Sequence, residues 1–162
     1  MKVSRLAIVI FALAPLPAAA TCIPPWRTLF ACAIANSNGR AEFCRIADAA
    51  KHPGRKEAYY TYATGSDVAE LYFETNDVYF STKDTEPDHP TDLTMAMGFA
   101  RGAYVYAFSV TEDRNTENNV RAADVRVYKS IDAFTSDTKD TEDVKLYCDP
   151  RTIIADSPEI RP

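Results

Sequence analysis

Histidine and glycine are scarce in this chain of 162 residues, which contains two histidines and five glycines. His52 and His89 each precede a proline in a charged segment, and neither lies in a pattern typical of a hydrolytic triad or a zinc site. Glycine-rich loops that bind phosphate groups or dinucleotides are missing as well. We therefore expect no catalytic residues, no metal and no cofactor.

Long apolar runs are also missing, and the run near the start of the chain, residues 6–13, is too short to span a membrane. Lys2 and Arg5 precede this run and three alanines follow it, which is the pattern of a secretory signal peptide. We expect cleavage at the end of the alanines, so that residues 1–20 are removed. Residues 21–162 would then form a single domain that is periplasmic or secreted.

Acidic side chains outnumber basic ones, with 23 Asp and Glu against 18 Lys and Arg and a net charge of −5. Loss of Lys2 and Arg5 with the signal peptide would bring the net charge to −7. Such a charge repels nucleic acid and favours the capture of a basic protein by electrostatic steering. The sequence therefore predicts a basic protein partner, no nucleic-acid binding and no membrane span after cleavage. It leaves the oligomeric state open.

The four cysteines, Cys22, Cys32, Cys44 and Cys148, lie after the predicted cleavage site, and an even number in an exported domain predicts two disulfides. Their pairing depends on the turn at Asn38-Gly39. A three-residue loop would place Cys32 opposite Cys44, whereas a two-residue turn would put them on opposite faces. We favour the pairs Cys32–Cys44 and Cys22–Cys148. A zinc site or catalytic thiol is disfavoured because no Cys-x-x-Cys pair occurs.

Residues of alternating polarity dominate the chain, and this period of two is typical of β-strands. Nine segments are predicted strands: residues 28–34, 41–46, 57–64, 68–74, 78–81, 94–99, 103–110, 120–129 and 144–149. A helical turn is predicted at residues 131–134. Short strands separated by turns predict an all-β fold, either a single antiparallel sandwich or a small barrel of eight or nine strands with two disulfides.

Two acidic segments lie between predicted strands. In the first, Asp84, Glu86 and Asp88 alternate with other residues, a spacing that resembles the start of a calcium-binding EF-hand loop. His89 stands where that loop needs glycine, so we interpret the segment as a solvated acidic loop. Residues 137–143 have the same interpretation, and calcium binding is the alternative.

Tyrosine is abundant, and five tyrosines fall in the third to fifth predicted strands: Tyr59, Tyr60, Tyr62, Tyr72 and Tyr79. In a later strand, Tyr104, Tyr106 and Phe108 share one face. Aromatic rings that remain exposed on a sheet can bind sugar rings or a protein partner. Because one face of each strand is buried, we expect about half of the five inside, which leaves a stripe of roughly two or three exposed rings.

Three short patches carry a resemblance to known proteins: Leu29-Phe30-Ala31-Cys32, Phe43-Cys44 and Leu146-Tyr147-Cys148. In these patches the chain resembles small exported β proteins of Gram-negative bacteria. It is also distantly similar to periplasmic inhibitors of c-type lysozyme, which are small β-barrels with a Ser-Gly-x-x-Tyr loop that enters the lysozyme cleft. The segment Arg101-Gly102-Ala103-Tyr104 lacks the serine and is one residue shorter. The resemblance implies binding roles for Gly102 and Tyr104.

Together these patterns predict a non-enzymatic periplasmic binding protein, an inhibitor or immunity-type protein directed against a cationic cell-wall hydrolase. The candidate binding residues are Gly102, Tyr104, Tyr106, Asp84, Glu86 and Asp88. One alternative is a carbohydrate-active or calcium-dependent envelope enzyme, which would need two carboxylates roughly 5–9 Å apart in a cleft. A second alternative is a structural envelope component, which an open sheet edge or a large apolar patch would favour.

Overall fold

The computed structural model describes residues 22–65, 68–84, 92–113, 121–136 and 142–155, and its strands form two five-stranded antiparallel sheets. The first sheet contains β1 (Trp26–Ala33), β2 (Gly39–Ile46), β3 (Ala58–Thr64) and β4 (Leu71–Thr75). The second contains β5 (Val78–Asp84), β6 (Asp92–Arg101), β7 (Tyr104–Asp113), β8 (Arg121–Tyr128) and β9 (Glu142–Tyr147). A short helix, α1 (Ile131–Ser136), lies between β8 and β9, and β10 (Ile154–Ala155) returns to the first sheet beside β1.

The sheets pack face to face as a sandwich, and the described strands do not close into a barrel, which confirms the predicted all-β fold. All nine predicted strands are present with ends shifted by a few residues, and the helical turn predicted at residues 131–134 is the start of α1. The sequence does not predict β10, because two residues are too few to show an alternating pattern. Among the described residues, no helix is long and apolar enough to cross a membrane.

Four phenylalanines form the centre of the core between the sheets. Phe30 and Phe43 come from the first sheet and Phe99 and Phe108 from the second, and each is at most 1% exposed. The rings of Phe30 and Phe108 stack with centroids 4.5 Å apart, and Phe43 meets Phe108 edge to face at 5.0 Å. Because burial of one such side chain contributes about 2–3 kcal/mol, these contacts hold the two sheets together.

The predicted pairing of the cysteines, Cys32–Cys44 with Cys22–Cys148, is wrong. The structure confirms two disulfides, but they join Cys22 to Cys44 and Cys32 to Cys148. Cys32, Cys44 and Cys148 are buried, and Cys22 is partly exposed.

The register of the first hairpin explains the error. Cys32 lies opposite Ala41, which precedes Cys44 by three residues in β2, so Cys32 and Cys44 face opposite sides of the sheet. The turn is formed by four residues, 35–38, and Gly39 already belongs to β2. Cys32 therefore points into the core, while Cys44 points to the outer face of the first sheet.

The Cys32–Cys148 disulfide lies where the chain crosses from the second sheet to the first. The Cys148 N–H donates to the Ala123 carbonyl of the second sheet at 2.9 Å. One residue later, the Asp149 N–H donates to the Ala33 carbonyl of the first sheet at 2.8 Å. The disulfide and the two hydrogen bonds therefore tie the sheets together at one edge.

A β-bulge interrupts β1 between Thr28 and Phe30. After the bulge, Phe30 faces the core. Before the bulge, Trp26 lies opposite Ile46 and Thr28 lies opposite Cys44, on the outer face of the first sheet. The bulge therefore places Trp26 and Thr28 beside the Cys22–Cys44 disulfide.

The helix α1 covers part of the outer face of the second sheet. It begins after Ser130, whose hydroxyl accepts a hydrogen bond from a backbone N–H of the first turn at 3.0 Å. Phe134 is 2% exposed and meets the Tyr128 ring edge to face at 5.5 Å. Gly98 lies beneath the helix, and a Cβ there would come 2.5 Å from Val105 Cγ1 and 3.3 Å from Phe134 Cζ.

Gly98→Ala is expected to lower the free energy of unfolding by about 1–3 kcal/mol, because the added methyl group overlaps Val105 and the Phe134 ring. Chemical denaturation followed by circular dichroism measures the loss. The double variant Gly98→Ala/Val105→Ala should lose less than the sum of the two single variants, because the second change makes room for the first. Strict additivity of the two losses would contradict this packing.

Removal of the Cys32–Cys148 disulfide by alanine substitution is expected to cost ~5 kcal/mol, since it closes a loop of 116 residues. Removal of Cys22–Cys44, which closes a loop of 22 residues, should cost ~3 kcal/mol on the same chain-entropy argument. Denaturant unfolding of the two double variants compares the losses. A larger loss for Cys22–Cys44 would show that loop length does not govern their contributions.

Candidate functional site

Gly102 and Tyr104, two of the predicted binding residues, lie at the tight turn between β6 and β7. Arg101 and Tyr104 are the last pair of this hairpin, so the loop consists of Gly102 and Ala103. Gly102 has a φ of +62°, in the left-handed region that the first position of such a loop requires. Tyr104 is 45% exposed. The hydrogen-bonded hairpin therefore presents an aromatic ring to solvent at a defined position.

Tyr106, also a predicted binding residue, is partly buried and packs against the core between the sheets. Its ring contacts those of Tyr60 and Phe73, with centroid distances of 5.4 and 5.0 Å. Burial is the main cause that raises the pKa of Tyr60, and the neighbouring Tyr62 and Tyr106 add to it. The structure therefore gives Tyr106 a packing role between the sheets.

Two exposed side chains from the neighbouring chain segments, Lys129 and Asp143, lie near Tyr104. The register of β7 and β8 places Lys129 beside Tyr104, and the Lys129 Nζ forms an ion pair with Asp143 Oδ1 at 2.6 Å. The hydrogen bond to Asp143 is the main cause that raises the pKa of Lys129, and the Tyr104 phenol contributes. We call Tyr104, Lys129 and Asp143 the Tyr104 rim.

The two acidic segments join the second sheet at opposite ends. Asp84 is the last residue of β5 and lies opposite Leu93, near the start of β6. Tyr104 lies opposite Arg101 at the other end of β6, about 26 Å away along the strand. Glu86 and Asp88 lie outside the described residues, so the structure does not test the calcium alternative. The second segment ends at Asp143, in the Tyr104 rim. Asp84 and Tyr104 therefore do not share one contact patch, whereas Asp143 and Tyr104 do.

The five tyrosines of the third to fifth predicted strands do not form the expected exposed stripe. Tyr59 and Tyr60 are 4% and 3% exposed, and Tyr62 and Tyr79 are partly buried against the core. Tyr72 is 50% exposed, and its hydroxyl donates a hydrogen bond of 2.6 Å to the carboxylate two residues later. Burial and this hydrogen bond raise the pKa of Tyr72. Of the five, Tyr72 alone presents half of its surface to solvent.

A buried ion cluster on the outer face of the second sheet was not predicted. Asp124 is 9% exposed, and its carboxylate accepts hydrogen bonds from Arg126 Nε at 2.6 Å and Nη2 at 3.0 Å. The Lys145 Nζ lies 3.8 Å from the same carboxylate. The hydrogen bond to Asp124 is the main cause that raises the pKa of Arg126. The signal in the sequence is the spacing of two, which puts Asp124 and Arg126 on one face of β8.

A second buried carboxylate, that of Glu42 in β2, lies beside the Cys22–Cys44 disulfide. Glu42 is 3% exposed, and one of its oxygens lies within 4.8 Å of both sulfurs. Its Oε1 is 3.2 Å from Arg40 Nε, close enough for an ion pair, but it makes no hydrogen bond to the described residues. Two thiolates and a carboxylate suit a metal ion, but these two sulfurs are bonded to each other and therefore do not act as thiolate ligands.

No protein-family model matches this chain, and comparisons with curated proteins and with solved structures also find no match. The resemblance to lysozyme inhibitors therefore stays a prediction. The function is inferred from the geometry of the Tyr104 rim and from the charge of the chain.

Proposed function

We propose that this chain is a non-enzymatic periplasmic binding protein, an inhibitor or immunity-type protein that neutralises a cationic cell-wall hydrolase through the Tyr104 rim. The observation that carries the proposal is the exposed Tyr104 ring directly after a two-residue turn, beside the Lys129–Asp143 ion pair. The two disulfides support an oxidising compartment, as a periplasmic location requires.

Tyr104 has the properties of an interface anchor. Tyrosine combines a large apolar ring with a hydroxyl group, and it loses little conformational entropy on binding because it has two side-chain torsions. The hairpin that carries Tyr104 is paired along its whole length, from Asp92 opposite Asp113 to Arg101 opposite Tyr104. Binding therefore requires little ordering of the backbone, and most of the buried ring area contributes to affinity.

The charge near Tyr104 favours a basic partner. The Lys129–Asp143 ion pair is exposed, with side-chain exposures of 68% and 36%, so it contributes little to stability. A guanidinium group of a partner can replace Lys129 and bind the Asp143 carboxylate in a bidentate manner. The net charge of −5 adds long-range steering of a cationic protein towards this surface.

Tyr104→Ala is expected to weaken binding of the oxidised chain from residue 21 to 162 to a c-type lysozyme, the first probe in a panel of basic wall hydrolases. The expected loss is about 30-fold, or about 2 kcal/mol, because an anchor ring is removed. Isothermal titration calorimetry at low salt measures it. The matched control is Tyr147→Ala, since Tyr147 is 62% exposed on the outer face of the second sheet. This control should change the affinity by less than about twofold.

Salt provides a second measurement on the same complex. Raising the salt concentration from about 0.05 M to about 0.5 M should weaken binding by about tenfold or more, because the steering charges are screened. Unchanged affinity at high salt would contradict the electrostatic part of the proposal. Equal losses from the Tyr104 and Tyr147 variants would contradict the location of the site. Absence of binding to every hydrolase in the panel would overturn the proposed partner.

A further inference from the structure

The two disulfides lie in different environments. Cys32 and Cys148 are 2% and 5% exposed and belong to the core between the sheets. Cys44 is completely buried, but its partner Cys22 is partly exposed. Cys22 belongs to a short segment that precedes β1 and lies on the outer face of the first sheet. A thiolate from solvent can therefore approach Cys22, whereas the other three sulfurs are shielded.

The Thr28 hydroxyl is a hydrogen-bond donor to the Cys22 sulfur. It donates a hydrogen bond to the Cys22 Sγ at 3.2 Å. A donor in this position stabilises a negative charge on sulfur, so it favours the thiolate of Cys22 once the disulfide opens. Thr28 faces outward because of the β-bulge that follows it.

Glu42 lies next to the buried sulfur. One of its carboxylate oxygens lies within 4.8 Å of both Cys22 Sγ and Cys44 Sγ. The charged and titratable groups that face it are Arg40 of the same strand, at 3.2 Å, and Tyr59 of β3, whose pKa is raised by burial and, to a smaller extent, by Glu42. The Glu42 Oε1 makes no hydrogen bond to the described residues, and the carboxylate is an acid–base group beside the buried Cys44 sulfur.

We propose that Cys22–Cys44 is a thiol–disulfide exchange site that reacts with a dithiol reductant, with Cys22 as the attacked sulfur and Glu42 as the proton relay to Cys44. Cys32–Cys148 stays oxidised. This inference goes beyond the proposed binding function and does not depend on the Tyr104 rim.

The reaction has two steps. A thiolate of the reductant attacks Cys22 Sγ, the Cys22–Cys44 bond breaks, and Cys44 leaves with the electron pair and takes a proton through Glu42. The second thiolate of the reductant then attacks its own sulfur in the mixed disulfide and releases Cys22 as a thiolate, which Thr28 stabilises before it is protonated. The reductant leaves as a disulfide after losing two electrons and two protons, which the two protein thiols have gained.

Reduction should be visible through Trp26, the single tryptophan of the chain. The Trp26 ring meets the Tyr59 ring at 5.3 Å, and the Tyr59 hydroxyl accepts a hydrogen bond from the Ile23 N–H at 3.0 Å. Opening of the disulfide releases the segment that holds Ile23, which changes the surroundings of Tyr59 and Trp26. Trp26 fluorescence therefore reports on this disulfide.

The first test uses the oxidised wild-type chain. Limiting dithiothreitol is added at neutral pH, free thiols are alkylated at intervals, and peptide mass spectrometry assigns them. Cys22 and Cys44 should become alkylated at least about tenfold faster than Cys32 and Cys148, in step with the change in Trp26 fluorescence. Equal rates, or faster reduction of Cys32–Cys148, would overturn the proposal.

A matched pair of variants tests which of the two sulfurs a reagent in solution can reach. In Cys44→Ser the remaining Cys22 thiol should react with glutathione disulfide, and in Cys22→Ser the buried Cys44 should react at least about tenfold more slowly, with circular dichroism showing that both variants are folded. Adding Thr28→Val to Cys44→Ser should slow the Cys22 reaction several-fold, because the thiolate loses its donor. Faster reaction of Cys44 than of Cys22 would contradict the assignment.

The variant Glu42→Gln tests whether Glu42 transfers a proton to Cys44 or only supports the structure around the disulfide. The substitution should slow reduction of the intact Cys22–Cys44 disulfide by about tenfold, because the proton for Cys44 is no longer relayed. In the Cys44→Ser background it should not slow the reaction of Cys22, since no proton transfer to Cys44 occurs there and loss of the nearby negative charge favours the Cys22 thiolate. Equal slowing in both backgrounds would show that Glu42 acts only by supporting the structure.

Discussion

The β-bulge in β1 governs which side chains of the first sheet face the core and which face outward. Without it, the alternation that places Phe30 and Cys32 inside would also place Trp26 and Thr28 inside. The extra residue reverses the faces before Phe30, so Trp26 packs outside against Tyr59. The packing of Trp26 and Tyr59 beside the Cys22–Cys44 disulfide on the outer face therefore depends on the β-bulge.

The register of the hairpin between β1 and β2 gives the two disulfides their separate characters. Cys32 lies after the bulge, faces the core and bonds to Cys148, where the chain changes sheets, so that bond constrains the sandwich itself. Cys44 faces outward and bonds to Cys22, so that bond holds a short leading segment over the first sheet. Burial protects the first bond from thiolates, while partial exposure of Cys22 leaves the second open to attack.

Tyr104 and Tyr106 have different surroundings, although both lie on the same face of β7. Tyr106 packs against Tyr60 and Phe73 of the first sheet. Tyr104 lies one pleat further along β7 and is 45% exposed. The antiparallel order of the second sheet also separates the two acidic segments, because one joins β5 at its far end and the other leads into β9 at the Tyr104 end.

The sequence by itself determined the nine longer strands, the short helix and the presence of two disulfides, because period-two alternation and an even number of cysteines can be read directly from it. The tertiary structure alone decided the cysteine partners, because they depend on a four-residue turn and a bulge that alternation does not reveal. It also decided which tyrosine of β7 is exposed and that Glu42 lies beside a disulfide, since both result from packing between residues distant in the sequence.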